Sequence, residues 1–516
     1  MVSQPAFLNF TRQMKKHFFI LLFLFPLRYC QAQDKPNIIL FLVDDMGWMD
    51  TSQPFGNKVM PLNKKFHTPN MERMAKEGML FSNAYNNSVC TPTRTSLITG
   101  QSAVRTHITN WTSITPNRAT DFPDSLLNAP SWNFNGLSVT SHQNSFTVNQ
   151  SLPQILKDAG YFTVHVGKAH WGPLGTTGSD PQELGFVVNI SGSALGHPQS
   201  YYGEDNYGNM PGKTSFNAVP DLQQFYGSET FLTDALTLKA KSALDYPVKN
   251  KQPFFLYLGH YAVHLPIQAD KRFVNKYTDA GLDKTEAAYA SLIEGMDKSL
   301  GDILDYVKAK GIEKNTIIIF MSDNGGLANL GRGGQRNTQN LPLRAGKGSV
   351  YEGGIRIPFM VKWPGIAKAG SRTDQYIMPE DFMPTILEIA KLKTPATLDG
   401  KSYLPLIKNA ALITDDRPLL FHYPNRWTKN EDEGYAWSTA MRLGDWKLVY
   451  LMKQRKLELY NLKDDIGEQN DLSMSNQAKV AELAKTWTAA LKERGAQMPT
   501  WKENGKAVDW PNAIAK

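Results

Sequence analysis

The stretch Pro36-Asn37-Ile38-Ile39-Leu40-Phe41-Leu42-Val43 is an apolar run that stops abruptly in Asp44-Asp45. A run without polar alternation is what a strand buried on both faces requires, as inside a parallel sheet. The same texture returns three times. Tyr161 to Val166 runs into Gly167-Lys168-Ala169-His170, Pro253 to Leu258 runs toward His260 and His264, and Thr316 to Met321 runs into Ser322-Asp323-Asn324. Helical segments lie between them. One is opened by Thr68-Pro69-Asn70 and closed by Gly78, and another spans Leu152 to Asp158. A third carries an apolar stripe through Leu292, Ile293, Met296, Leu300, Ile303, Leu304 and Val307 and stops at Gly311. This alternation predicts an α/β chain with a large, mostly parallel sheet and helices on both faces. Sites in such sheets gather beyond the carboxyl ends of the strands. Four strand ends carrying Asp-Asp, Lys-x-His, His and Asp-Asn therefore predict one shared site.

After about Pro379 the texture changes. Ile386 to Ala390 reads as helix and Thr414 to Pro418 as a linker. Short strands follow at Leu419 to His422, Tyr435 to Leu443, Trp446 to Met452 and Leu457 to Tyr460, separated by turn signals such as Leu443-Gly444-Asp445. Ala478 to Arg494 closes the chain as an amphipathic helix. The expected division is a leader at 1–32, a catalytic domain at 33–413, and a small antiparallel sheet with one helix at 414–516.

The most informative single residue is Cys90, in Ser88-Val89-Cys90-Thr91-Pro92-Thr93-Arg94-Thr95-Ser96-Leu97-Ile98-Thr99-Gly100. The other cysteine of the chain, Cys30, falls in the leader, so the mature protein holds one thiol and forms no internal disulfide. A lone cysteine is ordinarily a small buried hydrophobe. Here Pro92 and the following residues read as a helix start, which places Cys90 at the positive end of a helix beside Arg94, where an anion docks. Asp44, Asp45, Asp323 and Asn324 offer oxygen ligands only, which suits calcium or magnesium and not zinc.

The Cys-x-Pro-x-Arg core with its Ser-Leu-x-Thr-Gly extension resembles the signature of type I sulfatases. Gly167-Lys168-Ala169-His170 resembles that family's Gly-Lys-x-His segment, and Pro342-Leu343-Arg344-Ala345-Gly346-Lys347 its Pro-Leu-Arg-x-Gly-Lys block. His264, before Leu265-Pro266, matches the family histidine that precedes a proline; His260 does not, and is expected to be structural or to support the site residues from behind. The resemblance implies an alkaline-phosphatase-like fold and oxidation of Cys90 to formylglycine, whose hydrate is the nucleophile. It also implies calcium held by Asp44, Asp45, Asp323, Asn324 and the modified Cys90. Sulfate esters repel anionic nucleophiles, so cations must offset that charge. Arg94, Lys168 and Lys347 are the expected cations, His264 the acid for the leaving alkoxide, and His170 the base that removes the second hydroxyl's proton as sulfate departs. A formylglycine-generating enzyme is then a required partner. The alternatives within reach of these residues are a phosphonate or phosphate ester hydrolase of the same superfamily, and a glycan-binding protein with a vestigial site.

Met14-Lys15-Lys16-His17, the apolar Phe18 to Leu27 and the small residues Cys30 and Ala32 form a secretory signal, with translation expected from Met14 and cleavage after Ala32. Export to the periplasm or beyond is expected, with no transmembrane segment. The net charge falls from +8 to +4 once Arg12, Lys15, Lys16 and Arg28 are removed, and no basic helix or basic-aromatic module accompanies it, so nucleic acid is not an expected partner. The expected substrate is a sulfated oligosaccharide or polysaccharide of marine or host origin. Its contacts are expected from loops around Arg105 to Gln150, Gly196 to Asp205 and Gly331 to Arg336, and from the small domain. The expected contact residues are Trp171, His197, Arg332, Arg336, His422 and Arg426.

Overall fold

The opening apolar run forms strand β1 (Asn37–Val43), every residue of which is buried. Ile39, Phe41 and Val43 enter one core, while Ile38, Leu40 and Leu42 enter another. Alternation between two apolar sides is the pattern of an internal strand covered on both faces. The computed structural model describes residues 35–328, 331–414, 416–429 and 431–515, so the expected leader and Cys30 lie outside the described residues.

In chain order β1 is followed by α1 (Pro69–Glu77), β2 (Met79–Tyr85), α2 (Cys90–Thr99), α3 (Leu152–Asp158), β3 (Phe162–Gly167) and β4 (Val188–Ile190). Then come α4 (Leu232–Lys249), β5 (Phe254–Gly259), α5 (Lys284–Ala309), β6 (Thr316–Ser322), β7 (Arg356–Lys362), β8 (Ser371–Ile377) and α6 (Phe382–Ile389). The eight strands form one sheet in the order β8-β2-β7-β6-β1-β5-β3-β4. Only β7 runs against the others. Residues of α4 and α5 pack with the first core, and those of α2, α3 and α6 with the second. The expected large, mostly parallel sheet with helices on both faces is present. Its four central neighbours β6, β1, β5 and β3 are the strands whose ends carry the polar clusters.

Strands β2, β4, β7 and β8 have no counterpart in the sequence reading. In β7, Pro358 interrupts an otherwise apolar strand, and the register with β2 shifts between Ile357 and Phe359. A proline removes a ladder donor and is tolerated where pairing is already irregular.

A second, four-stranded antiparallel sheet follows: β9 (Leu419–Arg426), β10 (Ala436–Leu443), β11 (Trp446–Leu451) and β12 (Lys456–Asn461), paired in sequence order. Leu420, Met441, Leu448 and Leu459 face Leu483 and Trp487 of α7 (Gln477–Glu493). The other face, with Phe421, Ala440, Val449 and Tyr460, packs on Tyr85, Val350 and Tyr351. That second contact braces the segment that carries Lys347. No helix among the described residues is long and apolar enough to cross a membrane.

Candidate active site

Cys90 is the first residue of α2, after Val89 in extended conformation, and all ten residues of this helix are buried. A helix buried all round needs no polar stripe, which is why the segment shows no amphipathic period. The helix closes at Gly100, whose left-handed conformation lets its N–H reach the Ser96 carbonyl. The thiol Sγ lies 3.4 Å from Nδ1 of His170. Burial pushes the Cys90 pKa up, against the pull of Lys168 and Lys347, so the thiolate is disfavoured.

The carboxyl ends of β1, β3, β5 and β6 converge beneath Cys90. Gly167 and Gly259 sit side by side at the ends of β3 and β5; a Cβ on Gly167 would lie 2.0 Å from the Gly259 carbonyl oxygen. That close approach brings the Lys168 carbonyl to the Arg94 guanidinium, which donates to it at 2.8 Å. Arg94 also donates through Nε to Asp323 at 2.9 Å. Lys168 donates to Asp44 at 2.6 Å, and Lys347 to Asp45 at 2.8 Å. Three buried carboxylates are thus matched one to one by three buried cations. Asn324 donates to Asp45 at 2.9 Å.

The match is incomplete in one respect. Oδ1 of Asp44 and Oδ1 of Asn324 are buried with no hydrogen-bond partner. Orphaned buried oxygens are costly and call for a missing partner, here a cation. Burial, then the neighbouring Asp323 carboxylate, holds the Asp44 pKa well above its usual range. Asp45 goes the other way: burial would raise it, but Lys347 and His264 outweigh that and lower it. Asp45 and His170 also have left-handed backbones, with φ of 63° and 57°. Such conformations cost energy in residues other than glycine and cluster at functional sites.

The two site histidines have assignable tautomers. Nε2 of His170 lies 2.9 Å from the Thr112 carbonyl, which only accepts, so Nε2 carries hydrogen and Nδ1 presents its lone pair to residue 90. Burial and Lys168 hold this ring well below its usual pKa, hence neutral. Nδ1 of His264 faces the Leu265 carbonyl at 3.1 Å, which leaves Nε2 toward Asp45 at 3.5 Å. Burial, with Lys347, lowers this pKa as well. The side chains of Asp44, Asp45 and His264 lie close enough to share one metal ion, but a hard cation prefers the oxygens. His260 is buried apart from them, bonded to Ser299 of α5 at 2.9 Å and packed on Phe41, as expected of a structural residue.

Above this floor opens a cavity of about 660 Å³, lined by Cys90, His170, His264 and Lys347, then by Trp111 to Ile114, Arg118 to Pro123, His197, Phe216, Asn217 and Trp427. Of the expected substrate contacts only His197 reaches it, its ring parallel to His264 at 5.7 Å. The others require correction. Trp171 is fully buried and donates its indole N–H to the Arg94 carbonyl at 2.9 Å, bracing the floor from below. The Arg332 side chain is 1% exposed, forked on Glu286 at 2.8 and 2.9 Å and bonded to Asp50 at 3.0 Å. Arg336 lies at the surface 4.0 Å from Asp432, in a separate shallow cleft. His422 is buried between the Gln497 carbonyl at 2.8 Å and Thr439 at 3.2 Å, with its pKa lowered to about 4 by burial. Arg426 stands behind the cavity wall, paired with Glu431 at 2.9 Å and bonded to the Pro123 carbonyl. Thr112 and Arg118 line the cavity from within the loop expected at Arg105 to Gln150, though nothing in the sequence marks them individually, and Phe216 and Asn217 line it without any signal in the sequence.

The reassignment of Arg332 has a measurable consequence. Arg332→Ala leaves Asp50 and Glu286 buried without their cation, and removal of one partner of a buried pair costs about 3–5 kcal/mol. A denaturation midpoint in urea should fall accordingly. A variant as stable as the parent would return Arg332 to the list of surface residues.

Comparison with known proteins places this architecture. The family model described as Sulfatase matches residues 36–392, and that described as N-sulphoglucosamine sulphohydrolase, C-terminal, matches residues 346–497. A protein named Sulfatase from Formosa agariphila is 29% identical, over 94% of either chain. Human N-acetylgalactosamine-6-sulfatase is 28% identical, covering 91% of this chain and 87% of its own. Among solved structures, Ps i-CgsB in complex with k-i-k-neocarrahexaose superposes with a TM-score of 0.67 at 27% identity, over 89% of this chain and 92% of that one.

Proposed function

This chain belongs to the sulfatase family and is a sulfuric ester hydrolase, and we propose that it is exported and removes sulfate from a sulfated oligosaccharide or polysaccharide, with Cys90 as formylglycine and calcium as its metal. The observation that carries the reading is the floor of the cavity: Cys90 at a helix start, with Asp44, Asp45, Asp323 and Lys168 just beyond the ends of β1, β6 and β3, and with Arg94 of α2 and the loop residue Lys347 completing three cation–carboxylate pairs. The glycan class is supported by the names of the relatives. One is a sulfatase of N-acetylgalactosamine, and one solved structure holds a carrageenan-type hexasaccharide. The leader read at residues 1–32 supports export, and formylglycine formation makes a converting enzyme the necessary partner.

The residues present fit a hard cation. Asp44, Asp45, Asp323 and Asn324 would hold it, and Asp44 and Asn324 each keep an oxygen without a partner. Calcium there supplies a Lewis acid that offsets the charge on the sulfate oxygens. Formylglycine, as its hydrate, supplies a hydroxyl nucleophile at position 90. The chain's own groups do the rest. Lys347 lines the cavity and binds the sulfate, while Arg94 and Lys168 sit beneath it and hold Asp323 and Asp44 in place. His170, neutral and with its Nδ1 lone pair turned to residue 90, takes a proton from that residue. His264 presents Nε2 to the cavity. Its ring is neutral in the free enzyme, and an anionic substrate beside it raises its proton affinity. It therefore takes up a proton with the substrate and donates it to the leaving oxygen.

His264→Ala is the sharpest test of that assignment. A sugar alkoxide leaves poorly without a proton, whereas a nitrophenolate does not need one. The loss on a sugar sulfate should be about 10²–10⁴-fold, and the loss on an aryl sulfate smaller. Because burial and Lys347 hold the His264 pKa of the free enzyme below the usual histidine range, wild-type kcat/KM on sugar sulfates should fall as pH rises through that acidic range, and this limb should vanish in the variant. Equal losses on both substrates would remove His264 as the acid. The function itself is tested by turnover on a panel of sulfated galactan and glycosaminoglycan oligosaccharides beside aryl phosphate diesters. Preference for the phosphate esters, or glycan binding without desulfation, would overturn it.

A further inference from the structure

Arg94, Lys168 and Lys347 each have a carboxylate partner, and of the three only Lys347 lines the cavity, where it is assigned to the sulfate that reacts. One lining cation of the cavity remains outside this balance. Arg118 makes no hydrogen bond or ion pair with any described residue. The acid nearest to it in sequence, Asp121, also lines the cavity but is already engaged, accepting from Trp132 at 2.6 Å and from Asn425 at 2.9 Å.

The loop that presents Arg118 is anchored at several points. The Asn117 N–H donates to the Asn135 side chain at 2.8 Å, and Asn135 donates back at 2.9 Å. Thr120 donates to the Trp111 carbonyl at 2.6 Å, and the Phe122 N–H to the Arg426 carbonyl at 2.6 Å. The guanidinium is thus offered from a fixed wall. Beside it, Phe122 and Phe216 are 41% and 63% exposed on the same cavity, an apolar rim where a sugar face can stack. A guanidinium's planar fork matches sulfate or carboxylate in two parallel hydrogen bonds.

We infer that Arg118 binds a second anionic group of the sugar chain, a sulfate or a carboxylate next to the sulfate being removed, and so selects multiply anionic glycans over singly sulfated ones. This rests on the glycan sulfatase reading above and narrows its substrate class.

The test uses the full-length enzyme in its modified, metal-loaded form and three oligosaccharides. One carries a single sulfate on neutral sugars, one adds a second sulfate on the adjacent residue, and one replaces the adjacent residue with a uronic acid. The quantity read is the ratio of kcat/KM for each doubly anionic substrate to that for the singly sulfated one. In Arg118→Ala this ratio should fall by about 10- to 100-fold, the range of a hydrogen bond to a charged group, with most of the change in KM. Arg118→Lys should recover part of the loss, and added salt should weaken the wild-type preference more than that of the alanine variant. A fall confined to the disulfated substrate identifies sulfate as the partner; a fall confined to the uronic acid identifies carboxylate. A ratio that moves less than about twofold for both substrates in Arg118→Ala overturns the inference. So does a wild type with no preference for either. Failure of the wild type to hydrolyse any of the three would instead defeat the functional reading on which the inference rests.

Discussion

Replacing Cys90 by alanine is expected to lower turnover of every sulfate ester by on the order of 10⁴- to 10⁶-fold, the scale on which loss of a covalent nucleophile acts. The fold should survive, because the residue is small and α2 is held by buried neighbours along its whole length. The reason for so large an effect is position. Residue 90 faces the His170 lone pair at 3.4 Å and lines the cavity, whereas the Thr91 hydroxyl, 3.5 Å from the same nitrogen, does not line it. The same geometry argues that the working group is not the thiol itself. Burial raises its pKa, in spite of two nearby ammonium groups, so an unmodified Cys90 stays protonated and a poor nucleophile. Peptide mass spectrometry across residues 88–100 of active enzyme should therefore find formylglycine in place of cysteine. Full activity with a quantitatively unmodified thiol would refute the assignment.

How far the chain could be read without coordinates depends on how local each signal is. β1 and β6 are legible because they are unbroken apolar strings buried on both faces. β8 (Ser371–Ile377) is not, because an edge strand has one unpaired side and tolerates Ser, Arg, Asp and Gln. The proposed site cations and carboxylates are legible because Asp44, Asp45, Asp323 and Lys168 follow strand ends, Arg94 lies in the motif that opens α2, and Lys347 lies in the recognisable Pro342–Lys347 block. The cavity wall is different in kind. Trp111, Arg118, Phe216 and Trp427 come from segments that share no pattern and meet only through the packing of loops. Residue type misleads there as well. Arg332 and His422 look like polar binding groups in sequence, yet their partners Asp50 and Gln497 lie far along the chain and make them structural. Arg118 carries the same guanidinium and is free because no acid among the described residues is folded against it.

Removal of the metal is expected to cost at least about 10³-fold in turnover on sugar and aryl sulfates alike, since a Lewis acid at the site contributes several kcal/mol of charge stabilisation. Calcium should restore the rate better than zinc, because the donor set is oxygen only. Asp44, Asp45 and Asp323 are fully buried, and burial first, then repulsion from Asp323, raises the Asp44 pKa. Lys168, Lys347 and Arg94 neutralise them, but they leave Oδ1 of Asp44 and Oδ1 of Asn324 without a partner. A cation that fills those positions binds the folded chain and not the unfolded one, so it must also stabilise the fold by mass action. The melting temperature of chelated wild-type protein should accordingly rise on addition of calcium, whereas Asp323→Asn should show a smaller rise and need at least about tenfold more calcium to reach it. This readout is independent of formylglycine, because a protein made without the converting enzyme keeps all four oxygen residues. Full turnover after chelation, with metal content verified as nil and no thermal response to calcium, would show that the buried carboxylates serve only to hold Lys168, Lys347 and Arg94 in place.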